Sequence, residues 1–531
     1  MSTLGVRNAI WQSLQQSSTR HDLIIIGGGI TGAGILREAT RHGLKVLLVE
    51  QRDFAWGTSS RSSKMVHGGL RYIAQGDFRL TRHSALERER LIREAPGLVE
   101  RMSYLFPIRH GQIPGKFIFN TLLKLYDGLA GIKTHGWHDK AAVLARAPGL
   151  NANGLQGANY YTDAVTDDAR LVLRVLQQAC AEGGQVLNYV AADSLLRDKR
   201  GRVDGVQLRD VLSGVTLNLH ANCVINATGA WVDQLRETVA GERTIRPLRG
   251  SHIIISASKI PVQDALTLFH PQDKRAVFIF PWEGTTVIGT TDLDHKLPLN
   301  TEPGITRTEL DYLLQLVQQQ FPNAKISADD VISTYAGVRP VISKNRSKDP
   351  SKEKRDHQVW VDQGLVSVSG GKLTTFRLIA RDTLRAARPL LPGVSLRNPK
   401  EQVFELPTVT PAQLSVKDAH WAQRLIGRYG DAVTAVLDAA PPELEKIAGT
   451  AFCLAELRWS CRNEQIVHLD DLLLRRTRVG LLLRQGAAEL LPPVKDICQQ
   501  ELGWNDDRWH SEEQRYRSLW RQHYFLPGES A

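Results

Sequence analysis

Residues 21–50, "HDLIIIGGGITGAGILREATRHGLKVLLVE", are the stretch that decides the fold of this chain. An apolar run at 23–26 predicts a buried strand, and a helix is predicted over 35–42. A second apolar strand is predicted over 46–49, and it ends at Glu50. This order of strand, glycine turn, helix and strand is typical of the first unit of a parallel, dinucleotide-binding α/β sheet.

The turn in this unit has the spacing G-x-G-x-x-G at Gly27, Gly29 and Gly32. Without side chains, the turn allows a pyrophosphate to approach the N–H groups at the start of the following helix. Glu50 follows about 20 residues on, where an acidic side chain can accept hydrogen bonds from ribose hydroxyls. These features fit FAD and NAD equally.

Two later stretches favour FAD. Residues 223–231, "CVINATGAW", predict an apolar strand that opens into a turn of small residues, as expected where a strand returns beside a cofactor. Residues 367–376, "SVSGGKLTTF", predict a strand, a glycine pair and a helix start, which can bind a second anionic part of a long cofactor. Because no second G-x-G-x-x-G follows, we do not expect a separate NAD domain.

Composition limits the classes of function. The 531 residues carry 67 Lys and Arg against 56 Asp and Glu, and this surplus suits anionic small molecules, an anionic membrane surface or nucleic acid. No nucleic-acid motif accompanies it, so no nucleic-acid partner is expected. Five scattered cysteines predict reduced thiols in a cytoplasmic protein without a metal site. Without an apolar run of ~18 residues, we expect a soluble or surface-bound protein.

Eight motifs occur in a fixed order along the chain. After the glycine turn at 27–34 come "TSSRSSKMVHGGLRY" (58–72), "DDARL" (167–171), "NATGAW" (226–231), "RGSHIII" (249–255), "VIGTTD" (287–292), "AGVRP" (336–340) and "GGKLTTFR" (370–377). Together they resemble the FAD-dependent glycerol-3-phosphate dehydrogenases of the D-amino-acid-oxidase-like flavoproteins. The resemblance covers roughly residues 20–390, and "LAELRWSCRNEQIVHLDDLLLRRTR" (454–478) looks like the helical C-terminal domain of that family.

The resemblance implies an α/β plus α architecture: a Rossmann-type FAD-binding domain, an interleaved mixed-sheet substrate domain and a C-terminal helical domain. After a leader at 1–20, the oxidoreductase region is expected over 21–390, a linker over 391–411 and the helical domain over 412–531. The parts that bind FAD are expected at about 21–75, 160–250 and 335–390, and the substrate-domain parts at about 76–160 and 250–335.

The resemblance also implies which residues contact FAD, held without a covalent bond. The expected contacts are Gly27, Gly29, Gly32, Glu50, Thr58, Ser59, Ser63, Lys64, His67, Gly229, Gly371, Thr374 and Thr375. His67 is in addition a second candidate for the catalytic base.

Three residues are predicted to bind a substrate phosphate. Arg71 offers a fixed fork of donors and Tyr72 adds a neutral donor. Without the resemblance, a surface arginine on a loop is the alternative for Arg71. Arg355 lies in a charged run, where a solvated side chain is the default interpretation.

Three further residues are predicted to carry catalysis. His252, at the start of an apolar strand, is the first candidate for the proton acceptor because its ordinary pKa near ~6.5 suits that role. A hydrogen-bonded core histidine is the alternative. Arg339 is predicted to meet the substrate or the flavin, with an internal salt bridge as its alternative. The resemblance places Lys372 near the flavin and the substrate, where it is predicted to stabilise charge that develops on the flavin or the substrate oxygen. A solvated lysine at a helix start is the alternative.

The predicted function is the oxidation of sn-glycerol 3-phosphate to dihydroxyacetone phosphate by hydride transfer to FAD, with quinone as the electron acceptor. The alternatives are a glycerol-3-phosphate oxidase that uses oxygen, a related oxidase acting on an amine or another anionic hydroxy substrate, and an inactive flavin-bearing docking or regulatory protein. Residues 116–129 predict either an interfacial helix at an anionic membrane or a helix buried against the substrate domain. A homodimer is a further possibility.

Overall fold

The computed structural model describes residues 4–16, 19–70, 73, 76–343, 356–391 and 401–528. Three of the predicted substrate contacts, Arg71, Tyr72 and Arg355, lie outside these residues.

Strands and helices alternate through the first three quarters of the chain, and helices dominate the last quarter. The strands are β1 (His21–Ile26), β2 (Val46–Val49), β3 (Met65–Val66), β4 (Val99–Arg109), β5 (Gly136–Asp139), β6 (Leu155–Thr166), β7 (Gln185–Leu187), β8 (Val190–Arg197), β9 (Val203–Asp210), β10 (Thr216–Asn226), β11 (Ile245–Ser256), β12 (Ala265–Phe269), β13 (Ala276–Trp282), β14 (Thr285–Gly289), β15 (Leu293–Asp294), β16 (Val331–Ile342), β17 (His357–Asp362) and β18 (Leu365–Gly370). The helices of six or more residues in the described ranges are α1 (Arg7–Gln16), α2 (Ile30–Arg41), α3 (Phe78–Glu94), α4 (Lys116–Ala130), α5 (Lys140–Arg146), α6 (Asp168–Ala181), α7 (Val232–Glu237), α8 (Arg307–Gln320), α9 (Phe376–Ala387), α10 (Ala419–Tyr429), α11 (Val433–Asp438), α12 (Leu454–Asn463), α13 (Leu491–Leu502) and α14 (Asp506–His523).

The first sheet contains the strands predicted from residues 21–50. Its order is β17-β18-β10-β1-β2-β7, and β1 pairs in parallel with both β2 and β10. The inner strands are apolar along their length, since helices α2, α6 and α9 cover one face and a second apolar cluster covers the other. The predicted strand–turn–helix–strand unit is therefore confirmed, with a helix that begins at Ile30, five residues earlier than predicted. Because the chain places β2 on one side of β1 and the later strand β10 on the other, the C-terminal end of β1 is a switch point of the sheet, where ligands of such folds bind.

The second sheet runs β15-β11-β14-β13-β12-β4-β6-β3, with β16 added beside β11 and β5 beside β6. Its register brings His252 opposite Gly289 on β14 and opposite Tyr335 on β16, so these side-chain positions share one face. Helix α4 packs on this sheet through Phe119, whose ring stacks on Phe106 of β4 at 4.0 Å. The helix predicted over 116–129 is thus confirmed.

The last quarter of the described chain is helical, as the sequence pattern predicts, and it packs against the second sheet. Its buried face includes Leu425, Ile426 and Val433 of α10 and α11. The leader helix α1 also packs on the body of the protein. Trp11 and Leu14 are buried, and the Arg7 guanidinium donates to the Asp210 carboxylate at 2.7 Å.

Candidate flavin and substrate site

A long cleft opens at the C-terminal ends of β1, β10 and β18, and Gly27 forms one end of it. Gly27 has φ +116, and a Cβ atom there would lie 2.6 Å from the carbonyl oxygen of Ala227. Only glycine fits at this point, because a side chain would clash with the neighbouring strand and strain the backbone. The lack of a side chain lets two strand ends meet beneath the cleft and leaves the backbone of the turn open.

Two polar side chains hold the glycine turn in place. The Gly28 amide donates to the Glu50 carboxylate at 2.7 Å, and the Ile30 amide at the start of α2 donates to the hydroxyl of Ser59 at 3.0 Å. Burial raises the pKa of Glu50 above its ordinary value, although the Gly28 and Arg52 amides, which both donate to this carboxylate, oppose that shift. These two hydrogen bonds, from Gly28 and from Ile30, therefore connect the turn to the end of β2 and to the loop at Ser59.

The far wall of the cleft comes from the two stretches that favour FAD in the sequence. Gly229 lines it, and a Cβ added there would meet no heavy atom within 4 Å. Gly371 and Lys372 line the same cleft from the end of β18. A long dinucleotide such as FAD fits three features of this cleft: a turn that needs glycine, an acidic residue at the end of the second strand, and glycine backbone on the opposite wall. Gly27, Gly29, Glu50, Thr58, Ser59, Gly229 and Gly371 would hold it.

The loop that follows Thr58 divides between the cleft and the protein interior. Ser59 faces the cleft, whereas the Lys64 side chain is fully buried and its ammonium donates to Asp168 at 3.0 Å. The structure therefore assigns Lys64 to an internal ion pair rather than to the cleft wall predicted from sequence. The His67 amide donates to the hydroxyl of Thr374 at 3.1 Å, which ties this loop to the start of α9.

His252 lies in a closed setting on the second sheet. Its ring stacks on Tyr335 at 4.5 Å with an interplanar angle of 9°, and its Nε2 atom is 2.9 Å from the hydroxyl of Ser63. Burial, together with the cations Arg339 and Lys64, holds the pKa of His252 well below its ordinary value. The imidazole is therefore neutral near pH 7, and it accepts a proton as a weaker base than an exposed histidine.

Arg339 lies on β16 on the same sheet face as Tyr335. Its guanidinium donates to the Asp292 carboxylate at 3.0 Å and to the Thr290 hydroxyl at 2.9 Å. Gly250 on the paired strand leaves room for it, since a Cβ there would lie 2.2 Å from the Arg339 Nη2 atom. The internal salt bridge considered in the sequence analysis is thus present. It fixes the direction of the guanidinium beside the cleft that Pro340 lines.

Lys372 occupies the end of the cleft beside α3. Its ammonium donates to the Ser84 hydroxyl at 2.6 Å. A lysine that lines the cleft places a positive charge where the sequence predicts one, near the glycine pair Gly370 and Gly371. The structure thus gathers Lys372 and the glycine residues at one cleft, with His252 and Arg339 on the adjoining sheet.

Three residues at this site were not predicted from sequence: Tyr335, Asp292 and Asp168. Two of them occur in quoted motifs, "VIGTTD" and "DDARL", but motif position alone gives no role. Tyr335 precedes "AGVRP" and becomes visible as a partner of His252 only through the register of β11 and β16. All three are recognised by contacts with residues that are distant in the sequence, and the spacing of residues along the chain does not reveal such contacts.

Comparisons with known proteins agree with this geometry. Residues 22–385 match the family model described as FAD dependent oxidoreductase, and residues 404–509 match the C-terminal domain of alpha-glycerophosphate oxidase. The glycerol-3-phosphate dehydrogenase of Bacillus halodurans, solved in complex with FAD, superimposes with a TM-score of 0.76 at 28% identity and covers 98% of each chain. The L-alpha-glycerophosphate oxidase of Mycoplasma pneumoniae has a TM-score of 0.57 at 17% identity, covering 74% of this chain and all of that one, which shows a shared fold.

Sequence relatives point in the same direction. The aerobic glycerol-3-phosphate dehydrogenase of Staphylococcus haemolyticus is 34% identical over 503 residues, which is 90% of this chain and 89% of that protein. The enzyme of the same name from Staphylococcus aureus strain USA300 is 38% identical over 368 residues, 68% of this chain and 66% of the relative. The chain therefore belongs to the FAD-dependent oxidoreductase family, within the group formed by the aerobic glycerol-3-phosphate dehydrogenases.

Proposed function

We propose that this chain binds FAD in the cleft and oxidises glycerol 3-phosphate to dihydroxyacetone phosphate. The observation that carries the proposal is the placement of a neutral His252 and a fixed Arg339 on one face of the second sheet. The names of the relatives supply the substrate, and this pair supplies the two protein groups that an anionic secondary alcohol needs.

Oxidation of the alcohol separates a hydride from C2 and a proton from the hydroxyl group. FAD, when bound, supplies the hydride acceptor. His252 is the protein group that holds the proton, because burial and two nearby cations keep its imidazole neutral beforehand. Its Nε2 atom meets Ser63, which is half-buried, so the proton is expected to reach Nε2 on the side of that hydroxyl.

Arg339 orients the anionic end of the substrate. Two hydrogen bonds, to Asp292 and Thr290, restrict the guanidinium, so little rotamer freedom remains to be lost when substrate binds. Lys372 adds a positive charge at the cleft. The roles of Arg71, Tyr72 and Arg355 in phosphate binding stay predictions.

Anaerobic bleaching of the flavin tests this function. The holoenzyme is mixed with glycerol 3-phosphate, with glycerol as a matched control that lacks the phosphate, and with small amines and hydroxy acids. Rapid bleaching by glycerol 3-phosphate alone supports the proposal. Bleaching by an amine or a hydroxy acid replaces it with the related oxidase, and no bleaching by any compound favours the inactive flavoprotein.

The second part of the proposal is a peripheral contact with a membrane through helix α4, with quinone as the acceptor. One face of this helix is buried on the second sheet, while Phe117 and Ile118 on the other face are 83% and 59% exposed. Ile113 just before the helix is 85% exposed, and Lys124 lies on the solvent side. Exposed apolar side chains beside lysines are typical of an interfacial helix. Among the described residues, no helix is long and apolar enough to cross a membrane.

Vesicle binding tests the membrane contact. The holoenzyme is sedimented with vesicles of phosphatidylglycerol or phosphatidylcholine at low salt, and the double variant Phe117→Ser, Ile118→Ser should lose binding to the anionic vesicles. Leu406→Ser is the control, because Leu406 is also exposed but lies outside helix α4. Binding that is unchanged in the double variant contradicts this contact. The electron acceptor needs a separate experiment. Faster reoxidation of the reduced flavin by ubiquinone than by oxygen supports quinone as the acceptor. Light scattering measures the molar mass in solution and so tests the homodimer.

A further inference from the structure

A set of buried arginines connects the C-terminal domain to the FAD-binding region. Arg476 ends a π-helical turn at Leu472–Arg476, and Arg478 lies two residues after it. Their side chains are 0% and 1% exposed. Both pair with carboxylates that precede residue 170, so the contacts span most of the chain length. Buried charges of this kind are costly unless they are fully paired, and the pairs therefore fix how the two regions fit together.

Arg478 contacts the first turn of α6. Its guanidinium donates to Asp168 at 2.5 Å and to Asp167 at 2.9 Å, although the residues of the first pair are 310 positions apart. Burial alone would raise the pKa of Asp167, but Arg478 and Arg428 hold it well below its ordinary value. Asp167 is therefore ionised, and Arg478 is held by charge as well as by geometry.

Asp168 connects Arg478 to the loop that contains Ser63. One of its carboxylate oxygens accepts from Arg478 and from the Lys64 ammonium, at 2.5 and 3.0 Å. The other accepts both the amide and the hydroxyl of Ser62, at 2.9 and 2.7 Å. Ser63 thus lies between two residues that the same carboxylate holds, and its own hydroxyl meets His252 at 2.9 Å.

The backbone of this loop needs such a clamp. Lys64 has φ +57, in the left-handed region that is energetically unfavourable for residues other than glycine. The conformation persists when surrounding contacts enforce it. Here they are the ion pair of Lys64 with Asp168 and the hydrogen bond from the Lys64 amide to the Ser62 hydroxyl at 3.0 Å.

We propose that Arg478 of the C-terminal domain is a positioning residue for catalysis, acting through Asp168 on the Ser62–Lys64 segment and so on the Ser63–His252 contact. The inference rests on the proposed function of His252 as proton acceptor. Arg478 neutralises the charge of the Asp168 carboxylate and orients it. Without it, Asp168 has one cation fewer, and the two bonds that bracket Ser63 lose their fixed direction.

The chain offers a matched control two residues away. Arg476 is as buried as Arg478 and also pairs with a carboxylate, since its guanidinium donates to both oxygens of Asp53 at 2.6 and 2.7 Å. In the part of the chain that the structure describes, the Arg476 guanidinium donates to Asp53 and to the carbonyl oxygen of Glu464, and no hydrogen bond joins it to Asp168 or to the Ser62–Lys64 segment. Loss of either arginine should therefore cost stability, because a buried carboxylate loses one of its cationic partners. Only the loss of Arg478 should disturb the loop.

The experiment compares Arg478→Met, Arg478→Lys and Arg476→Met as FAD-loaded full-length proteins. Stopped-flow absorbance under anaerobic conditions gives the limiting rate of flavin reduction by glycerol 3-phosphate and the apparent Kd. Amide hydrogen exchange of peptides that cover residues 60–66 gives a readout that does not depend on activity. FAD content and Tm report overall folding.

We expect Arg478→Met to slow flavin reduction about 100-fold, as a misplacement of about 1 Å does, with little change in apparent Kd and with faster exchange over 60–66. Arg478→Lys should recover part of the rate, because it keeps the charge. Arg476→Met should lose a similar amount of thermal stability and keep the rate and the exchange of the wild type. Equal rates in Arg478→Met and Arg476→Met, or unchanged exchange over 60–66, overturn the inference.

If Arg478→Met does not fold, Arg478→Lys and Asp168→Asn carry the same comparison. Asp168→Asn should slow reduction and speed exchange over 60–66, and normal values in both variants refute the proposal. A wild-type flavin that glycerol 3-phosphate does not bleach contradicts the proposed function instead. The hydrogen-exchange comparison still decides whether Arg478 orders the segment.

Discussion

Replacement of His252 by glutamine is the most direct test of the chemistry. The Gln side chain can place an amide nitrogen near the position of the imidazole Nε2 atom and keep the 2.9 Å contact with Ser63. It cannot accept a proton at the pH of the reaction. The variant thus removes proton transfer and retains most of the packing beside Tyr335.

The expected size of the effect follows from the two roles of the ring. A positioned general base contributes about 10²- to 10⁴-fold, which is about 3–5 kcal/mol of barrier. Loss of the stacked contact with Tyr335 costs about 0.5–1.5 kcal/mol of stability. We therefore expect flavin reduction to slow at least about 100-fold, while the FAD content stays near that of wild type because His252 does not line the cofactor cleft wall.

Anaerobic stopped-flow absorbance measures the rate, and the ratio of flavin to protein absorbance measures the FAD content. His270→Gln is a matched control, because His270 is also buried and ring-stacked, on Tyr312 at 3.5 Å, but lies on the loop after β12. The control should lose comparable stability and keep its rate. A rate within a few-fold of wild type in His252→Gln refutes the assignment of His252 as the proton acceptor.

Three more predictions follow from the geometry. Gly27→Ala should give protein without FAD, since its Cβ would lie 2.6 Å from a backbone oxygen at φ +116, and the absorbance ratio measures the loss. Arg339→Lys should raise the KM for glycerol 3-phosphate about 10- to 100-fold, because lysine lacks the planar fork of donors, and steady-state kinetics measures the change. His21, His252 and His295 are buried with lowered pKa values, so the unfolded chain takes up protons below about pH 6.5 that the folded protein does not. The free energy of unfolding should therefore fall as pH decreases below about 6.5, by up to about 1.4 kcal/mol per pH unit for each histidine, and urea titrations measure this slope.

Each of these has a comparison that isolates its cause. Gly43→Ala serves for Gly27, because Gly43 also has a positive φ, +73, but a Cβ there meets no atom within 4 Å. If Gly43→Ala and Gly27→Ala lose FAD equally, the contact with the neighbouring strand is not the reason. An unchanged KM in Arg339→Lys shows that its fork does not bind substrate. For the histidines, His252→Gln should reduce the acid slope, and an unaltered slope contradicts a neutral buried His252.

The features that could be predicted from sequence are those encoded by the local spacing of apolar residues and by the residues that favour turns. The strands around residues 23–26 and 46–49, the glycine turn between them and the helix over 116–129 all follow from short-range patterns, and the structure confirms them. The candidates His252 and Arg339 come from short motifs. The expectation that His252 starts a strand is wrong, because β11 begins at Ile245, and Arg339 likewise lies inside β16. The sequence could not predict that His252 is neutral or that Arg339 is paired with Asp292, because burial and nearby charges determine both.

The sequence by itself determined the sheet that begins at His21, the glycine backbone of the cleft and the residue types needed for oxidation of an anionic alcohol. The tertiary structure alone decided which residues meet. It turned Lys64 inward to Asp168, stacked Tyr335 on His252 and joined Arg478 to Asp168 across 310 positions. The physical reason is that spacing along a chain encodes the face on which a side chain lies, while strand register and domain packing decide its partners.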